Sequence, residues 1–528
     1  MQEIKEFFNK STIIEKRLIL CYSVIAIMLS VICFYYFMSN KIYFIGSDAY
    51  SYMSMADSLR DSGELLDITT IPPTPAKTPQ NGIVLVHLIL SYLGLSQYQR
   101  LISIVVINYV IYLSAVYPLI KMASGCGLKE NKFAIMSLIG AHLGAWHIYR
   151  FELLAINDGI FYSSTIWLSY LIFHLIKRYY DGNSQKRLAV NRHLLLTVLI
   201  VAFFSLLFRI NTIFIMFAMI LTVLIFDTIN KNFRMTIFLF GVSFSVIGMF
   251  FLVYQFIDIT TIKFITKNTI NGLPSLFDLT HWFTQTKRFV LDTLPRIAAR
   301  PIFYGRPNII YAVFLVPPFI SFVRAYKEKK AGVMFISLQC IVIFIIGTLI
   351  LNRARYIMHI YPLLYLMMFS IPKTRLVGHL FVLLVITNTV RTVSREWVRV
   401  RDSNLWIHIY ENRISLPQDE PLLLTWKARH SYFFLNTRSY RAANDDDGTL
   451  DGHITFPKGL NWDLIKKRDS LYVLGDSTYI ASAYSQVQEM ASTNGYELES
   501  NTLTPALDEL EGWALVELKP IMSCKIEN

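Results

Sequence analysis

Long apolar runs alternate with short polar breaks as far as about residue 390 of the 528-residue chain, and beyond that apolar residues come only in short groups. A membrane helix needs about 20 mostly apolar residues, because no backbone group can stay unpaired in hydrocarbon. Eleven stretches suit that requirement: residues 18–38, 101–122, 133–149, 159–176, 193–208, 210–226, 235–257, 308–323, 331–352, 356–372 and 376–390. Only Arg209 interrupts the run from 193 to 226, which is too long for one span and suits two joined by a tight turn at that arginine. After Arg391 the short runs 422–424, 471–474 and 513–516 flank a helix-like stretch at 480–492, a pattern of strands around a helix. The expected fold is therefore an α-helical polytopic membrane protein of about 11 transmembrane helices with a small C-terminal α/β domain, divided as 1–391 and 392–528.

Two loops of the membrane part are long, 39–100 and 258–307. The first holds a helix-like segment, the Pro-rich run Ile71-Pro72-Pro73-Thr74-Pro75 and an apolar stretch at 82–96, which is short for a span and suits an interfacial or re-entrant helix. The second is basic, with Lys263, Lys267, Lys287, Arg288, Arg296, Arg300 and Arg306. It suits anionic headgroups or a phosphate, and equally a plain snorkelling loop.

Composition agrees with this division. Hydrophobic residues make up 54% and charged residues 16%, against about 25% charged in a soluble domain, which excludes a single soluble globule. Residues 1–400 carry 38 Lys+Arg and 18 Asp+Glu, whereas 401–528 carry 12 and 19. The basic residues sit between apolar runs rather than on a polar face, so they argue for positive-inside topology and against nucleic-acid binding. Clusters at 121–132, 177–192, 231–234, 324–330 and 373–375 fall on the side of the N-terminus. That orientation makes the chain a multi-pass protein of the cell (inner) membrane, with the N-terminus cytoplasmic and the C-terminal domain extracytoplasmic. The first apolar run has no small-residue cleavage site after it and is read as a retained span. The five cysteines show no disulfide or metal-ligand spacing, and no Walker loop, dinucleotide fingerprint, Ser-centred elbow or HExxH is present.

Few charges remain on the outer side. Gly46-Ser47-Asp48 opens a helix-like segment in which Asp48, Tyr52, Ala56 and Leu59 share one face. A helix N-terminus favours negative charge there, and Asp48 or Ser47 equally suits a simple N-cap. The next outer turn carries Arg150, Glu152 and Asp158; Glu152 has Arg150 as a near partner, whereas Asp158 has no cation near it in sequence and starts a span. Ionisable groups between spans are costly and point to function by default. Arg353 and Arg355 stand at the outer entry of a late span, against the positive-inside trend, and suit a phosphate.

This arrangement resembles the GT-C superfamily of polytopic glycosyltransferases, which includes protein O-mannosyltransferases, aminoarabinose transferases and oligosaccharyltransferases. The resemblance covers most of residues 1–390. Asp48-x3-Tyr52-x3-Ala56 looks like the family's acid-containing first outer loop, and Thr78-Pro79-Gln80-Asn81-Gly82 is similar to its Pro-rich segment. Asn157-Asp158-Gly159 resembles the acid of its second outer loop, and Arg355-Tyr356 with Pro362 its entry to a late span. The chain departs from the family in having Ala49 after Asp48, Asn157-Asp158 where many relatives have an acid followed by Pro, and Arg209-Ile210 in place of Arg-Pro. No WWDYG-type sequence occurs, which disfavours transfer to protein asparagine.

The resemblance implies transfer of a sugar from a polyprenyl-phosphate donor to a glycan, lipid or protein hydroxyl at the outer face of the bilayer, with inversion. Asp48 is then the base, Arg355 or Arg353 the ligand of the departing phosphate, and Asp158 an acceptor-orienting residue. Asp158 is also a partner of Asp48 for a divalent cation such as Mg or Mn, if one is used. Tyr52, Glu152 and Arg209 are weaker pocket candidates. The alternative is a polysaccharide polymerase or ligase, or a flippase-like transporter of lipid-linked glycans. A transporter, however, places its ionisable groups near mid-membrane rather than at one surface.

Overall fold

The computed structural model describes residues 47–75, 81–144, 157–181, 192–257, 278–294, 309–349, 358–396, 421–425, 428–435, 437–440, 460–503 and 514–522, with isolated positions in 24–39 and at 406, 409 and 416. In chain order the elements are α1 (Ser47–Ser62), β1 (Leu66–Asp67), β2 (Thr74–Pro75), α2 (Asn81–Tyr92), α3 (Gln97–Ser114), α4 (Val116–Ala123), α5 (Lys132–Leu143), α6 (Asn157–Asp181), α7 (Arg192–Phe208), α8 (Thr212–Asn230) and α9 (Arg234–Ile257). There follow α10 (Leu279–Arg288), α11 (Val316–Lys327), α12 (Ala331–Leu349), α13 (Tyr361–Ser370) and α14 (Arg375–Glu396). The last part holds β3 (Leu423–Leu424), α15 (Ala428–Phe434), α16 (Trp462–Lys467), β4 (Leu471–Gly475), α17 (Ser477–Thr493), β5 (Tyr496–Thr502) and β6 (Ala514–Met522). Two compact units result. One comprises Met1–Ser39, Lys77–Ile83 and Ile102–Arg395; the other comprises Asn40–Ala76, Val84–Leu101 and Glu396–Asn528. Most of the first long loop is thus grouped with the C-terminal residues.

The first unit is helical. Among the described residues, four helices are long and apolar enough to cross a bilayer: Gln97–Leu128, Asp158–Tyr180, Thr212–Asn230 and Arg234–Leu252. A fifth span is obtained if the pair Met358–Ser370 and Pro372–Thr387, bent by 111°, counts as one. The sequence pattern predicts two spans there and eleven in total. The bend falls where Ile371 is extended (φ −101°, ψ 116°), a conformation that Pro372 imposes on its predecessor while removing a helical N–H. Other expected spans fall on helices of 10–17 residues, such as Lys132–Leu143 and His193–Phe208, below the length that crosses hydrocarbon. The expected spans 18–38, 133–149, 308–323, 331–352 and 356–372 fall partly outside the described residues.

Small residues and polar ties join these helices, as expected where lipid gives apolar side chains little incentive to leave it. A Cβ at Gly125 or Gly332 would come within 2.5 or 2.8 Å of the Phe173 ring. Gln339 Nε2 donates to Ser169 Oγ at 2.9 Å between α12 and α6, and the Tyr361 hydroxyl donates to the Ala141 carbonyl at 2.9 Å between α13 and α5. Buried Asp227 accepts from the Tyr180 hydroxyl at 2.7 Å and from the Thr236 backbone N–H and hydroxyl at 2.8 Å, drawing the ends of α6, α8 and α9 together.

The second unit is built on a four-stranded sheet of order β3-β4-β6-β5, with β3 and β4 parallel and the other pairs antiparallel. Register places Leu424 opposite Val473 and Val473 opposite Val516. Alternation then sends Leu424, Leu471, Val473 and Val516 to one face, where Tyr479, Ala483, Val487 and Ala491 of α17 pack on them. Asp476 caps α17 by accepting from the Tyr479 N–H at 2.8 Å. All five β4 residues are buried, as a strand covered on both faces requires. The sheet also reaches back to the first loop. Tyr440 N–H donates to the Leu423 carbonyl and Thr425 N–H to that of Tyr440; Ile71 N–H donates to the Ser439 carbonyl at 3.0 Å, and Ser439 N–H to that of Thr69 at 3.2 Å.

Gly82 opens α2 against the α7 backbone, where an added Cβ would meet the Leu207 carbonyl carbon and oxygen at 2.9 Å. Main chain cannot rotate away as a side chain can, so Gly82→Ala is expected to destabilise the protein by about 1–3 kcal/mol. Thermal unfolding of the purified, detergent-solubilised chain measures this, and an unchanged midpoint would contradict the close approach.

Candidate functional site

Asp48 lies in the first turn of α1, as the sequence suggests, but the helix around it is buried on more than the one predicted face. Ala49, Tyr50, Ser51, Tyr52, Met53, Ser54, Met55, Ala56, Asp57 and Ser58 are all buried. The reason is a set of neighbours distant in sequence. Arg429, Tyr432 and Phe433 stand at i, i+3 and i+4 of α15, one face of a helix, and each meets a residue of α1. Arg429 Nη1 donates to Asp48 Oδ1 at 2.7 Å, Phe433 stacks on Tyr50 with ring centroids 4.9 Å apart, and the Tyr432 hydroxyl donates to Asp57 Oδ2 at 3.4 Å. Asp48 and Arg429 keep 37% and 38% of their side-chain surfaces exposed, so the pair is tied yet open to a reactant. Tyr52 is buried.

Beneath this pair sits Asp67, a buried carboxylate at the end of β1. Its Oδ2 accepts from the Ser51 hydroxyl. Its Oδ1 accepts from the Ser54 hydroxyl at 3.0 Å, the Thr69 N–H at 3.2 Å and the Thr69 hydroxyl at 2.6 Å. Arg429 Nε stands 3.7 Å from Oδ2. One guanidinium therefore faces two carboxylates.

A second ion pair anchors the far part of α1. Asp57 and Arg100 are both buried and meet at 2.8 Å, and Gln97 Nε2 donates to Asp57 at 3.3 Å. Arg60 Nη1 donates to Ser91 Oγ at 2.6 Å, tying α1 to α2. Burial, and then the Asp57 charge, push the Tyr432 hydroxyl above its ordinary pKa, so it stays a donor. Nothing in the sequence singles out Arg429, Asp67, Asp57 or Arg100. Arg429 lies in a segment where charges are common, and its partner is 381 residues away.

Asp158 and Arg209 belong to the helical unit, and the structure brings them together. Asp158, in the first turn of α6, accepts from Arg209 Nη2, and the side chains are 3% and 5% exposed. Arg209 occupies the turn between α7 and α8, where its carbonyl accepts from the Thr212 N–H at 3.3 Å. Its guanidinium lies 5.8 Å from the Phe161 ring centroid, and His359 meets the same ring edge-on at 5.2 Å. The cation that Asp158 lacks in its own neighbourhood is supplied from 51 residues along the chain. Glu152, Arg353 and Arg355 lie outside the described residues. Among the described residues no three His, Cys, Asp or Glu side chains group as metal ligands, and Asp48 and Asp158 each face a guanidinium group.

No family model matches the chain, and no curated protein matches it significantly in sequence. Its fold is similar to that of the Archaeoglobus fulgidus oligosaccharyltransferase in complex with Zn and sulfate, with a TM-score of 0.51 and 11% identity over 90% of this chain and 69% of that one. Archaeal oligosaccharyltransferase AglB from the same organism, in complex with an inhibitory peptide and a dolichol-phosphate, gives a TM-score of 0.48 at 12% identity over 97% and 75% of the two chains. The A. fulgidus enzyme tethered to an acceptor peptide with the NVT sequon gives 0.44 at 12% over 90% and 70%. The first likeness shows a shared fold.

Removing one partner of a buried ion pair strands the other charge, so Asp158→Asn is expected to cost about 3–5 kcal/mol of stability. The double variant Asp158→Asn/Arg209→Met should recover part of that loss. Unfolding midpoints of the wild-type chain and the two variants test this, and a fully stable Asp158→Asn would show that the pair contributes nothing.

Proposed function

We propose that the chain is an integral-membrane glycosyltransferase that moves a sugar from a polyprenyl-phosphate carrier to a glycan, lipid or protein hydroxyl at the extracytoplasmic face, with Asp48 as base. Fold alone does not fix an activity. The observation that carries the proposal is a half-exposed carboxylate on the opening turn of α1, in the first long loop of a chain whose fold is similar to that of an oligosaccharyltransferase.

In this reading Asp48 takes the proton of the acceptor hydroxyl as its oxygen attacks the anomeric carbon, a step worth about 10²–10⁴-fold. The bond from that carbon to the carrier phosphate breaks, and the polyprenyl phosphate leaves with the electron pair. A phosphate needs no protonating acid on departure, only charge neutralisation, which is the role proposed for Arg355 or Arg353. Attack opposite the leaving group inverts the anomeric carbon. The Asp158–Arg209 pair is buried, which argues against a part in proton transfer, because neither group is exposed to a reactant. The N-terminus is cytoplasmic and the C-terminal domain extracytoplasmic, as the distribution of basic residues argues.

Cells lacking the chain should accumulate one lipid-linked sugar and carry a truncated glycan, and the wild-type gene should reverse both. Asp48→Asn is expected to yield a folded protein that reverses neither. Retained transfer by a folded Asp48→Asn variant would remove Asp48 as the base, whereas accumulation of the carrier on the cytoplasmic leaflet alone would favour a transporter. Arg355→Ala should impair donor use more than acceptor use, read as a larger rise in the donor KM.

A further inference from the structure

We infer that Asp67 and Arg429 are positioning residues that hold the Asp48 carboxylate in its working orientation, an inference that rests on the proposed role of Asp48 as base. A carboxylate on the first turn of a helix is free to rotate about two side-chain bonds, and a base must lie within hydrogen-bond reach of the proton it takes. Arg429 removes part of that freedom through the 2.7 Å bond from Nη1 to Asp48 Oδ1. A long arginine side chain fixes nothing unless it is itself held. The holder is Asp67, whose Oδ2 faces Arg429 Nε at 3.7 Å.

Asp67 suits that task because it cannot turn. Three side-chain donors and one backbone donor fix its two oxygens: the Ser51 and Ser54 hydroxyls, the Thr69 hydroxyl and the Thr69 N–H. The Ser51 carbonyl lies 2.9 Å from the Ser54 hydroxyl and shares its proton with Asp67, so Ser54 is held by α1. Thr69 in turn is joined through its carbonyl to the Ser439 N–H. The relay therefore runs from rigid backbone, through a buried carboxylate and a planar guanidinium with a donor on each of two edges, to Asp48. Charge separates this reading from phosphate binding by Arg429. Two carboxylates face one guanidinium, so the cation is already balanced and the local field does not favour an anion.

The test uses purified full-length chain in nanodiscs. The donor is the lipid-linked sugar pool extracted from cells lacking the chain, and the acceptor is membranes of the same cells. A misplaced reacting group costs up to about a hundredfold, so Arg429→Ala and Asp67→Asn are each expected to lower kcat by about tenfold to a hundredfold with the donor KM unchanged. Arg429→Lys should recover little, because an ammonium cannot present donors on two edges at once. In the Arg429→Ala background Asp67→Asn should have no further effect on kcat, since its action passes through the missing guanidinium. A purely structural Asp67 would instead lower the unfolding midpoint and reduce activity equally in both backgrounds, and that result overturns the inference. So does a wild-type kcat in folded Asp67→Asn or Arg429→Ala. If Asp67→Asn fails to fold, Ser54→Ala, which removes one of its donors, and the exposed-side Arg429 variants decide the question by the same split of kcat from KM. An inert Asp48→Asn with a fully active Asp67→Asn overturns the positioning role alone, whereas an active Asp48→Asn overturns the base and the positioning role together.

Discussion

The backbone bonds between Thr69–Ile71 and Ser439 govern the second unit. They extend the C-terminal sheet, through Ser439–Tyr440 and β3, to a segment of the first long loop, and so determine what lies beside α1. A few backbone bonds are weak individually, at about 1 kcal/mol net each. Here they fix register: with Thr70 opposite Ser439, α15 runs from Ala428 along α1, and Arg429, Tyr432 and Phe433 meet Asp48, Asp57 and Tyr50. A one-residue slip of that pairing would turn the side chains of Ser439 and Tyr440 to the opposite face. The half-exposed carboxylate thus depends on a sheet edge some distance from it in sequence.

Burial of charge is handled in one manner throughout. Asp57 has Arg100, Asp158 has Arg209, and Asp67 has hydroxyl and amide donors. An isolated buried carboxylate would cost far more than the stability of a domain, so each acid that leaves water arrives with its compensation. Asp48 is the exception in degree: it is paired but still reachable by solvent. A group that is neither fully solvated nor fully enclosed is the kind on which a reactant can act.

Much of this was legible in the sequence where the signal is local. The helix over Ser47–Ser62, the turn at Arg209, the strands near Leu423, Leu471 and Ala514 and the helix through Ile480 all follow from period, breaker residues and apolar runs. Asp158 and Arg209 each stood out as charges among apolar residues, but their pairing did not, because it depends on how α6 meets the α7–α8 turn. Hydropathy reports that a segment avoids water, not whether it crosses a bilayer; among the described residues four helices, or five with the bent pair at Pro372, are long and apolar enough to cross. Arg429 had no local signal at all, since an arginine in a charged segment becomes informative only when its partner is known.

The discontinuity of the second unit also sets a timetable. Asp48 and Arg429 are 381 residues apart, and a ribosome adding about 5–20 residues per second needs on the order of 20–75 s to supply the second after the first. For that interval α1 has emerged without α15, Ser439 or the sheet, so its buried side chains and its acids lack their final partners. The helical unit, whose segments lie largely between the two parts in sequence, is synthesised meanwhile. The residues around Asp48 are thus made long before they are completed, and the site can exist only in chains translated at least as far as Tyr440.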